Sequence, residues 1–524
     1  MSTTGAEQGA RRDTALRSAR VLVVGAGIMG AGIAQVAAQA GQRVALFDAR
    51  EGAALQARDR LAATFDTLVA KGRLPAAAAA EALARIDAVE QLEQAADCGL
   101  VVEAIVERLD VKRELLARLE ALVAPDCVLA SNTSSLSITA LARDMRHPER
   151  LVGMHFFNPV PLMKLVEVVS GLRSDPAVAR QVFELAGSWG KTAVHARSTP
   201  GFIVNRIARP YYAETLALLQ EQAAAPETLD ACLRAAGFRM GPCELMDLIG
   251  HDTNFAVTQA VYEANFFDKR FQPSLVQREL VDGGLLGRKT GRGFYDYADG
   301  AGQPSACPAP ADLLEPDAAT RLVVAGRGAL ADRLGAALCA AGREYEVDPQ
   351  SAWCGLRVDG ASLRLSDGRC AAELGGDVAV FDLPLRDDNG LALAWAAGAD
   401  ASETWQQQAP RWLHLLGWQP LRLRDIPGLV VARTVAMLIN EAADAVHQGV
   451  CSADGADHAM KLGVNYPAGP FEWLSLWHQL GAPDPAAMLD ALDAHYRGER
   501  YRVSPALREQ AWLRRRATSP ETRA

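Results

Sequence analysis

A histidine and a glutamate lie twelve residues apart in strongly apolar surroundings. His155 belongs to the segment Met154–Pro161, and Glu167 is flanked by valines within the run Leu165–Val169, which is typical of a buried strand. A buried carboxylate is costly unless it is hydrogen-bonded or paired. A histidine partner would have one tautomer fixed and its other nitrogen left to accept a proton. The pattern predicts a general base; the alternative is a structural salt bridge of Glu167, for instance with Lys164.

A glycine-rich loop follows a predicted strand near the start of the chain. Gly25, Gly27 and Gly30 come directly after the apolar run Arg20–Val24, a helical pattern follows them, and Asp48 ends a second predicted strand. In this order the glycines provide a tight turn, close approach to a pyrophosphate and close helix–strand packing. The N-terminus of the helix then faces the phosphates. Asp48 can bind the ribose hydroxyls of NAD and repel a 2'-phosphate, so the segment predicts an NAD site.

Two further polar positions accompany this pattern. Ser134 lies in the segment Ser131–Ser135, at the carboxyl end of the predicted strand Cys127–Ala130, where doubly wound sheets bind ligands. Asn205 lies in a long helix predicted to begin near Thr199. The alternatives are an ordinary helix N-cap for Ser134 and a structural helix contact for Asn205.

The second half of the chain resembles a worn copy of the first. Ile426–Arg433 matches residues 199–206, and Ala468–Glu472 matches residues 240–244; the two prolines of these motifs are 42 residues apart in the first copy and 43 in the second. The segment Leu322–Gly328 resembles the first strand and its glycine loop. Ala432 stands where the first copy has Asn205, and we expect no counterpart of the His155–Glu167 segment between residues 321 and 425. The sequence therefore predicts one active site per chain, within residues 20–297.

The predicted fold class is α/β: a Rossmann-like doubly wound sheet, then an all-α domain, then a degenerate second copy of both. The predicted divisions are a disordered lead-in (1–19), an NAD-binding Rossmann domain (20–198) that includes a helical hairpin at 51–95, a helical domain (199–297), a linker (298–318), a truncated Rossmann-like domain (319–425), a second helical domain (426–513) and a tail (514–524).

Composition excludes several classes of function. A net charge of -9 over 524 residues argues against nonspecific binding to nucleic acid. No apolar run approaches the roughly 20 residues that span a membrane. Nine cysteines, scattered and without a CxxC pair, indicate reduced thiols and a cytoplasmic location. The histidines show no metal-ligand spacing, so no metal is expected.

Taken together, the motifs resemble those of the L-3-hydroxyacyl-CoA dehydrogenases. The resemblance covers residues 20–297 strongly and the second helical domain more weakly. The two-copy layout is similar to that of bacterial members that oxidise 3-hydroxyadipyl-CoA in phenylacetate breakdown. The motifs that carry it are the glycine loop, Ser131–Ser135, His155–Pro159, Pro200–Arg206 and Gly291–Tyr295.

The resemblance implies a role for each matching residue. His155 would be the general base that takes the hydroxyl proton of a 3-hydroxyacyl-CoA as hydride passes to NAD, and Glu167 would orient it. Ser134 and Asn205 would contact the reacting end of the substrate. The positions implied around the nicotinamide half of NAD are Glu103, Lys112, Asn158 and Lys289, and those implied for CoA are Thr64 and Lys71.

The substrate and the assembly remain open at this point. An adipyl group would need a cation for its distal carboxylate, for which Arg239 and Arg270 are candidates; 3-hydroxybutyryl-CoA would be served by the same catalytic residues. Alternatives of other kinds are an NAD-dependent dehydrogenase of a sugar acid such as L-gulonate and a noncatalytic NAD-binding protein. The chain would form a homodimer, or a monomer in which the second copy replaces the partner subunit.

Overall fold

A computed structural model describes residues 16–298 and 314–518. Most of the predicted lead-in and linker, and the end of the predicted tail, lie outside these residues. The described chain divides into two compact units. The first comprises residues up to 204 together with 449–464, and the second comprises 205–448 together with the residues from 465 onward.

The first unit is built on an eight-stranded sheet. Its strands are β1 (Val21–Val24), β2 (Val44–Phe47), β3 (Ile86–Val89), β4 (Leu100–Glu103), β5 (Val128–Ser131), β6 (Leu151–Phe156), β7 (Leu165–Ser170) and β8 (Thr192–Arg197). They lie in the order β3-β2-β1-β4-β5-β6-β7-β8, and all neighbours are parallel except β6 and β7. The order reverses between β1 and β4, which is where doubly wound sheets bind their ligands.

Helices cover this sheet and bury its apolar runs. They are α1 (Ile28–Gln39), α2 (Ala53–Ala70), α3 (Ala76–Ala84), α4 (Leu109–Leu122), α5 (Ile138–Leu141) and α6 (Pro176–Ser188), with single 3-10 turns at Leu92–Ala95 and Pro148–Arg150. The prediction of a helical hairpin at residues 51–95 is therefore wrong at its end, where β3 pairs with β2. That strand has only four residues with two apolar positions at its ends, too short a pattern to distinguish from a helix.

The remaining helices follow the last strand of this sheet along the chain. They are α7 (Val204–Ile207), α8 (Arg209–Gln220), α9 (Pro226–Ala235), α10 (Pro242–Ile249), α11 (His251–Ala264), α12 (Leu275–Asp282), α13 (Ala329–Ala340), α14 (Ala371–Leu374), α15 (Glu403–Leu415), α16 (Val431–His447), α17 (Ala453–Gly463), α18 (Pro470–Gln479), α19 (Pro485–Tyr496) and α20 (Pro505–Thr518), with 3-10 turns at Lys269–Phe271 and Arg288–Thr290. The first residues of the predicted tail, with the arginine run at 514–516, continue α20 to Thr518. None of the described helices is long and apolar enough to cross a membrane.

The second unit contains the remnant of a second Rossmann sheet. Its strands are β9 (Leu322–Ala325), β10 (Glu346–Asp348), β11 (Gly355–Val358), β12 (Ala361–Leu365), β13 (Val378–Phe381), β14 (Leu391–Ala397) and β15 (Trp418–Arg422). They lie in the order β10-β9-β11-β12-β13-β14-β15. The parallel pair β9 and β10 is kept, but the antiparallel hairpin β11–β12 adjoins β9. The copy is degenerate at this point, because the hairpin stands where the first sheet has the parallel strands β4 and β5 next to β1.

Reciprocal ion pairs join the two helical copies within the second unit. Arg206 Nε lies 2.6 Å from Glu441 Oε1, and Arg433 Nε lies 2.6 Å from Glu214 Oε2. Each arginine stands five residues after the glycine of its Pro-Gly motif, and each glutamate thirteen residues after it. Residue i of one copy thus meets residue j of the other and the reverse, which is the pattern of a two-fold dimer interface.

Replacing one partner of such a buried pair is expected to destabilise the second unit. Arg433 has 1% of its surface exposed and also binds the Tyr501 hydroxyl. The variant Arg433→Met should lose about 3 kcal/mol, the lower end of the range for a broken buried pair, because Arg500 still faces Glu214. Urea unfolding followed by tryptophan fluorescence reports this unit, since eight of the nine tryptophans lie in it. The control Arg321→Met, in an exposed pair with Glu346, should leave the midpoint unchanged; equal effects of the two variants would contradict the interface.

Candidate active site

His155 and Glu167 lie directly opposite each other on the antiparallel strands β6 and β7. Directly opposed residues project from the same face of a sheet, and His155 Nδ1 lies 2.6 Å from Glu167 Oε2. The pair is buried, with 5% of His155 and none of Glu167 exposed. Since a carboxylate only accepts hydrogen bonds, Nδ1 carries the proton and donates it. Nε2 is then the nitrogen that can accept a proton from a ligand.

The second oxygen of Glu167 holds the start of the helical domain. Glu167 Oε1 accepts hydrogen bonds from the backbone N–H groups of Ile203 and Val204, both at 3.0 Å. These donors belong to the turn that opens α7, where first-turn N–H groups have no partner within the helix. Asn205 follows Val204 directly in the chain. The same carboxylate therefore orients the His155 ring and holds the stretch of backbone that leads into Asn205.

Aromatic rings and one glycine enclose the pair. The ring centres of Phe157 and Phe202 lie 4.4 and 5.9 Å from that of His155. Gly463, at the end of α17 and thus in the second sequence copy, contributes to the first unit here. A Cβ atom at Gly463 would lie 2.6 Å from the Leu165 side chain and 3.0 Å from that of Val204. The second copy therefore supplies part of the wall behind the catalytic pair.

The glycine loop has the shape that a dinucleotide requires. Gly25 has a φ of +105°, a conformation that only glycine adopts readily, and a Cβ at Gly30 would overlap the carbonyl oxygen of Gly25. At Gly27 a Cβ would meet nothing within 4 Å, and no side chain caps α1. The open space in front of uncapped N–H groups fits a pyrophosphate.

Asp48 stands at the end of β2 beside this loop. Its carboxylate accepts hydrogen bonds from the backbone N–H groups of Ala26 and Arg50 and from the Arg50 side chain. Partial burial would raise the pKa of Asp48, but these donors outweigh it and hold the pKa below its usual value. The group is thus an anion at neutral pH, which suits a ribose acceptor and disfavours a 2'-phosphate.

Glu103 does not lie at the surface of the site, which corrects its expected contact with the nicotinamide. It forms a buried ion pair with Lys112, with Nζ 2.8 Å from Oε1, and also accepts a hydrogen bond from the Ser131 hydroxyl. The Lys112 ammonium also lies 3.3 Å from Glu107 Oε2, so it connects α4 both to the end of β4 and to Glu107.

Glu107 is the residue that the sequence analysis missed. Its Oε1 accepts hydrogen bonds from the Thr133 hydroxyl at 2.7 Å and from the Ser134 N–H at 2.8 Å, and the Ser134 hydroxyl lies 3.3 Å away. Burial would raise the pKa of Glu107, but the Lys112 charge and these donors lower it overall. The available signal was its place just before α4, near the carboxyl end of a central strand. Glu107 therefore holds Ser134 in place as an anionic acceptor at the site.

The loop after β6 is held from both sides. Asn132 Oδ1 accepts the N–H of Phe156 at 2.9 Å, which ties the Ser134 loop to the strand of His155. Asn158, exposed and followed by a cis bond to Pro159, begins the outer part of this loop. Its inner part is held by the ammonium of Lys191, which donates to the carbonyl oxygens of Val160 and Met163.

Of the four other residues expected to contact substrate or cofactor, two belong to the first unit and two to the second. Thr64 and Lys71 are exposed on α2 and just after it, seven residues apart and thus on one face. Asn205 and Lys289 belong to the second unit, where Lys289 pairs with Asp252.

Contrary to expectation, the second copy does contain a counterpart of the catalytic strand pair. Asp382 precedes Gly428 by 46 residues, as His155 precedes Gly201, and Ala394 takes the position of Glu167 by the same count. The Asp382 carboxylate accepts the N–H groups of Val430, Val431 and Ala432. One aspartate thus binds the N–H groups at the start of this helix, as Glu167 does for α7 in the first copy. Since Asp382 also takes the position of His155, this strand pair has no histidine base.

The second glycine loop is closed by its own unit. A Cβ at Gly481 would overlap the carbonyl oxygen of Arg327, and the N–H of Leu330, in the first turn of α13, points to the carbonyl oxygen of Leu480 at 3.3 Å. The space that a pyrophosphate would need is filled by residues 479–481. This loop does not fit a dinucleotide.

One group of side chains in the second unit bears on the expected absence of a metal. Cys370, Glu373 and His495 bring ligand atoms within 4.8 Å of one another. Glu373 and His495 are exposed, and exposed groups of this kind occur without an ion.

The two arginines expected to bind a distal carboxylate differ in their exposure to solvent. Arg270 is buried and pairs with Asp268, Glu441 and Asp444, so its charge is already balanced and that expectation is wrong. Arg239 is exposed.

Family profiles cover most of the chain. The 3-hydroxyacyl-CoA dehydrogenase NAD binding domain matches residues 20–199, and the C-terminal domain of the same family matches residues 201–297 and again 428–519. The 3-hydroxybutyryl-CoA dehydrogenase reduced Rossmann-fold domain matches residues 363–427.

Known proteins resemble the chain over its length. The 3-hydroxyadipyl-CoA dehydrogenase of Escherichia coli K12 is 43% identical over 94% of this chain and 97% of its own. The 3-hydroxybutyryl-CoA dehydrogenase of Bradyrhizobium diazoefficiens is 42% identical over 53% of this chain and 95% of its own. A crystal structure of 3-hydroxybutyryl-CoA dehydrogenase from Escherichia coli K12 superposes with a TM-score of 0.84 at 40% identity, covering 95% of this chain and 99% of that one.

The Lys191 contact predicts a pH-dependent stability difference. Burial lowers the pKa of the Lys191 ammonium from 10.5 to about 8. Between these values the folded protein has released the proton and the unfolded chain still holds it, so rising pH favours folding. Compared with Lys191→Met, the wild type should therefore gain stability between pH 8 and pH 10, measured as the difference in urea midpoint. The exposed variant Lys164→Met should show no such trend, and a Lys191→Met difference that stays constant with pH would contradict the prediction.

Proposed function

The chain belongs to the 3-hydroxyacyl-CoA dehydrogenase family, and on that premise we propose that its preferred substrate is (S)-3-hydroxyadipyl-CoA. NAD-dependent oxidation of 3-hydroxyacyl-CoA thioesters is the activity of the family to which both sequence copies match. The adipyl substrate is supported by the Escherichia coli relative of that name, which matches this chain end to end rather than over the first copy alone. Short-chain 3-hydroxybutyryl-CoA is the second candidate, supported by relatives that match the first copy and by the full-length Escherichia coli crystal structure described by that activity.

The observation that carries the mechanism is the buried pair of His155 and Glu167. His155 Nε2 takes the proton of the substrate hydroxyl, and Glu167 stabilises the imidazolium that results through the 2.6 Å contact to Nδ1. Ser134 and Asn205 orient the alcohol and the thioester. NAD, which the glycine loop and Asp48 would hold, would supply the acceptor for the hydride that leaves the carbon bearing the hydroxyl group.

The cofactor lies along the carboxyl edge of the first sheet in this proposal. Gly25, Gly27 and Gly30 accommodate the pyrophosphate, and Asp48 binds the ribose. We propose Asn158, Lys112 and Lys289 as contacts of the nicotinamide half of NAD, with Glu107 in place of the buried Glu103. For the CoA part, Thr64 and Lys71 provide polar contacts on the exposed face of α2.

The second copy acts as a built-in partner subunit. The reciprocal pairs Arg206–Glu441 and Arg433–Glu214 have the arrangement of a two-fold interface, and α17 adds Gly463 to the wall of the first unit. A chain that carries its own partner needs no second chain at that surface. We further propose a cytoplasmic location and a role in phenylacetate breakdown, in keeping with reduced cysteines and an adipyl substrate.

Removing the base is expected to abolish most of the activity while NAD still binds. The variant His155→Gln should lower kcat/KM for NADH formation by about 10² to 10⁴, the usual contribution of a general base. Binding of NADH, measured by fluorescence titration, should persist because the glycine loop is unchanged. The exposed His147→Gln variant is the matched control. Full activity of His155→Gln would contradict the proposed mechanism.

The substrate proposal is tested with two thioesters and the wild-type enzyme. The value of kcat/KM should be at least about 10-fold higher for (S)-3-hydroxyadipyl-CoA than for (S)-3-hydroxybutyryl-CoA, since a hydrogen-bonded charge contributes about 1.5–3 kcal/mol. Equal turnover would keep the dehydrogenase activity and exclude the preference for a dicarboxylate. Turnover of neither thioester would contradict the activity itself.

A further inference from the structure

A cavity of about 140 Å³ lies within the second unit, along the length of α8 from Arg209 to Gln220. It holds roughly ten times the volume that a single buried water requires. Arginine, hydroxyl and amide groups face it together with the ring of Tyr212. Its polar lining includes Arg209, Thr258, Gln277 and Arg500.

Arg209 is the unusual member of this lining. Only 6% of its surface is exposed, and its Nε has no hydrogen-bond partner within the described part of the chain. Its Nη1 donates to the Thr258 hydroxyl at 3.1 Å, and the guanidinium lies 5.0 Å from the ring centre of Tyr212. Its charge interacts with the phenols Tyr212 and Tyr466, and among the described residues no carboxylate forms an ion pair with it. Burial lowers the pKa of Arg209 below its ordinary value, but a guanidinium keeps its proton in proteins, so a buried positive charge remains unbalanced.

Other buried arginines of this unit are balanced within the fold. Arg206 pairs with Glu441, Arg270 with Asp444, and Arg433 with Glu214 and Glu221. The second arginine of the cavity, Arg500, is neutralised by Glu214 at 2.9 Å. Because an uncompensated buried charge is expensive, Arg209 is the position in this cavity at which an anion is missing.

The helical module itself does not need an arginine there. Arg209 stands eight residues after Gly201, and the residue eight after Gly428 in the second copy is the buried Ala436. The corresponding helix therefore packs with a methyl group at this position. The charge is specific to the copy that carries the catalytic pair, as Asn205 is.

We propose that Arg209 binds the terminal carboxylate of a dicarboxylic acyl-CoA thioester. The inference rests on the proposed function, in which Asn205 contacts the reacting end of the substrate. Arg209 follows Asn205 by four residues, and Ala208 between α7 and α8 keeps a helical conformation with φ -73° and ψ -15°. Residues four apart lie on the same helix face, about 6 Å along the axis. The three bonds from C3 of an adipyl group to its terminal carboxyl carbon span on the order of 4 Å, which brings the carboxylate into reach of the long arginine side chain.

The test compares two acyl chains of equal length in the full-length enzyme with NAD. (S)-3-Hydroxyadipyl-CoA ends in a carboxylate, and (S)-3-hydroxyhexanoyl-CoA ends in a methyl group. In Arg209→Met we expect kcat/KM for the adipyl thioester to fall about 10- to 100-fold and kcat/KM for the hexanoyl thioester to stay or rise. Arg209→Lys should retain part of the adipyl activity, as a point charge without the bidentate geometry. The melting temperature of Arg209→Met should equal or exceed that of the wild type, because an unbalanced charge is removed.

The exposed variant Arg278→Met, whose guanidinium pairs with Asp282, is the matched control and should leave both thioesters unchanged, whereas Arg239→Met tests the other candidate arginine. A wild type without preference for the adipyl over the hexanoyl thioester would overturn the proposed substrate, whatever Arg209 does. A wild-type preference that survives in Arg209→Met, or that is lost in Arg239→Met instead, would overturn the role of Arg209 alone. Inhibition of the wild type but not of Arg209→Met by free adipate, with an unchanged adipyl to hexanoyl ratio, would assign the cavity to a separate carboxylate. An Arg209→Met protein that fails to fold would make the guanidinium part of the scaffold.

Discussion

The carboxylate of Glu167 is the point on which the first unit depends. It has no exposed surface, so each of its oxygens needs donors from the protein, and an unsatisfied buried group costs about 1–3 kcal/mol. One oxygen binds His155 and the other binds the two N–H groups that open α7. The catalytic tautomer, the register of β6 against β7 and the point where the chain leaves the sheet are therefore one arrangement. None of the three can shift without leaving a buried charge or a buried donor unpaired.

The second copy separates the structural demand from the chemistry. The helix start at residues 430–432 still needs an acceptor, and Asp382 provides it from the strand position that His155 occupies in the first copy. Burial raises the pKa of Asp382 to about 6 even with these donors. The carboxylate of Glu167 in the first copy differs in its partners, because one of its oxygens accepts a hydrogen bond from the His155 imidazole. The glycine loop of the second copy has likewise become a packing surface for residues 479–481. What persisted is what a partner module requires, namely helix starts and buried ion pairs.

The sequence predicted those features whose signal is local. The glycine loop and the acidic residue among valines stand out because their neighbours alone place them on a strand end and a buried strand. Glu103 and Glu107 show where this reasoning stops: both acids follow or end the same strand, and only the tertiary structure tells that Lys112 and Ser131 enclose the first while the second faces Ser134. The counterpart of His155 in the second copy was missed for a related reason. Asp382 is recognised only through the pairing of β13 with β14 and its distance from Gly428.

Buried charges in this chain divide according to where their counterion is. The pair of Lys112 and Glu103 and those of Arg206, Arg270 and Arg433 are complete inside the fold, so they contribute to the scaffold whether or not a ligand is present. Arg209 has no such counterion, and the cost of its burial is offset only when an anion arrives. In the proposed mechanism His155 on β6 takes the proton, and in the further proposal Arg209 on α8 recognises the distal charge. Two members of such a family can then differ in the acids they accept through one helix position, as Arg209 and Ala436 differ within this chain, while the base and its carboxylate stay the same.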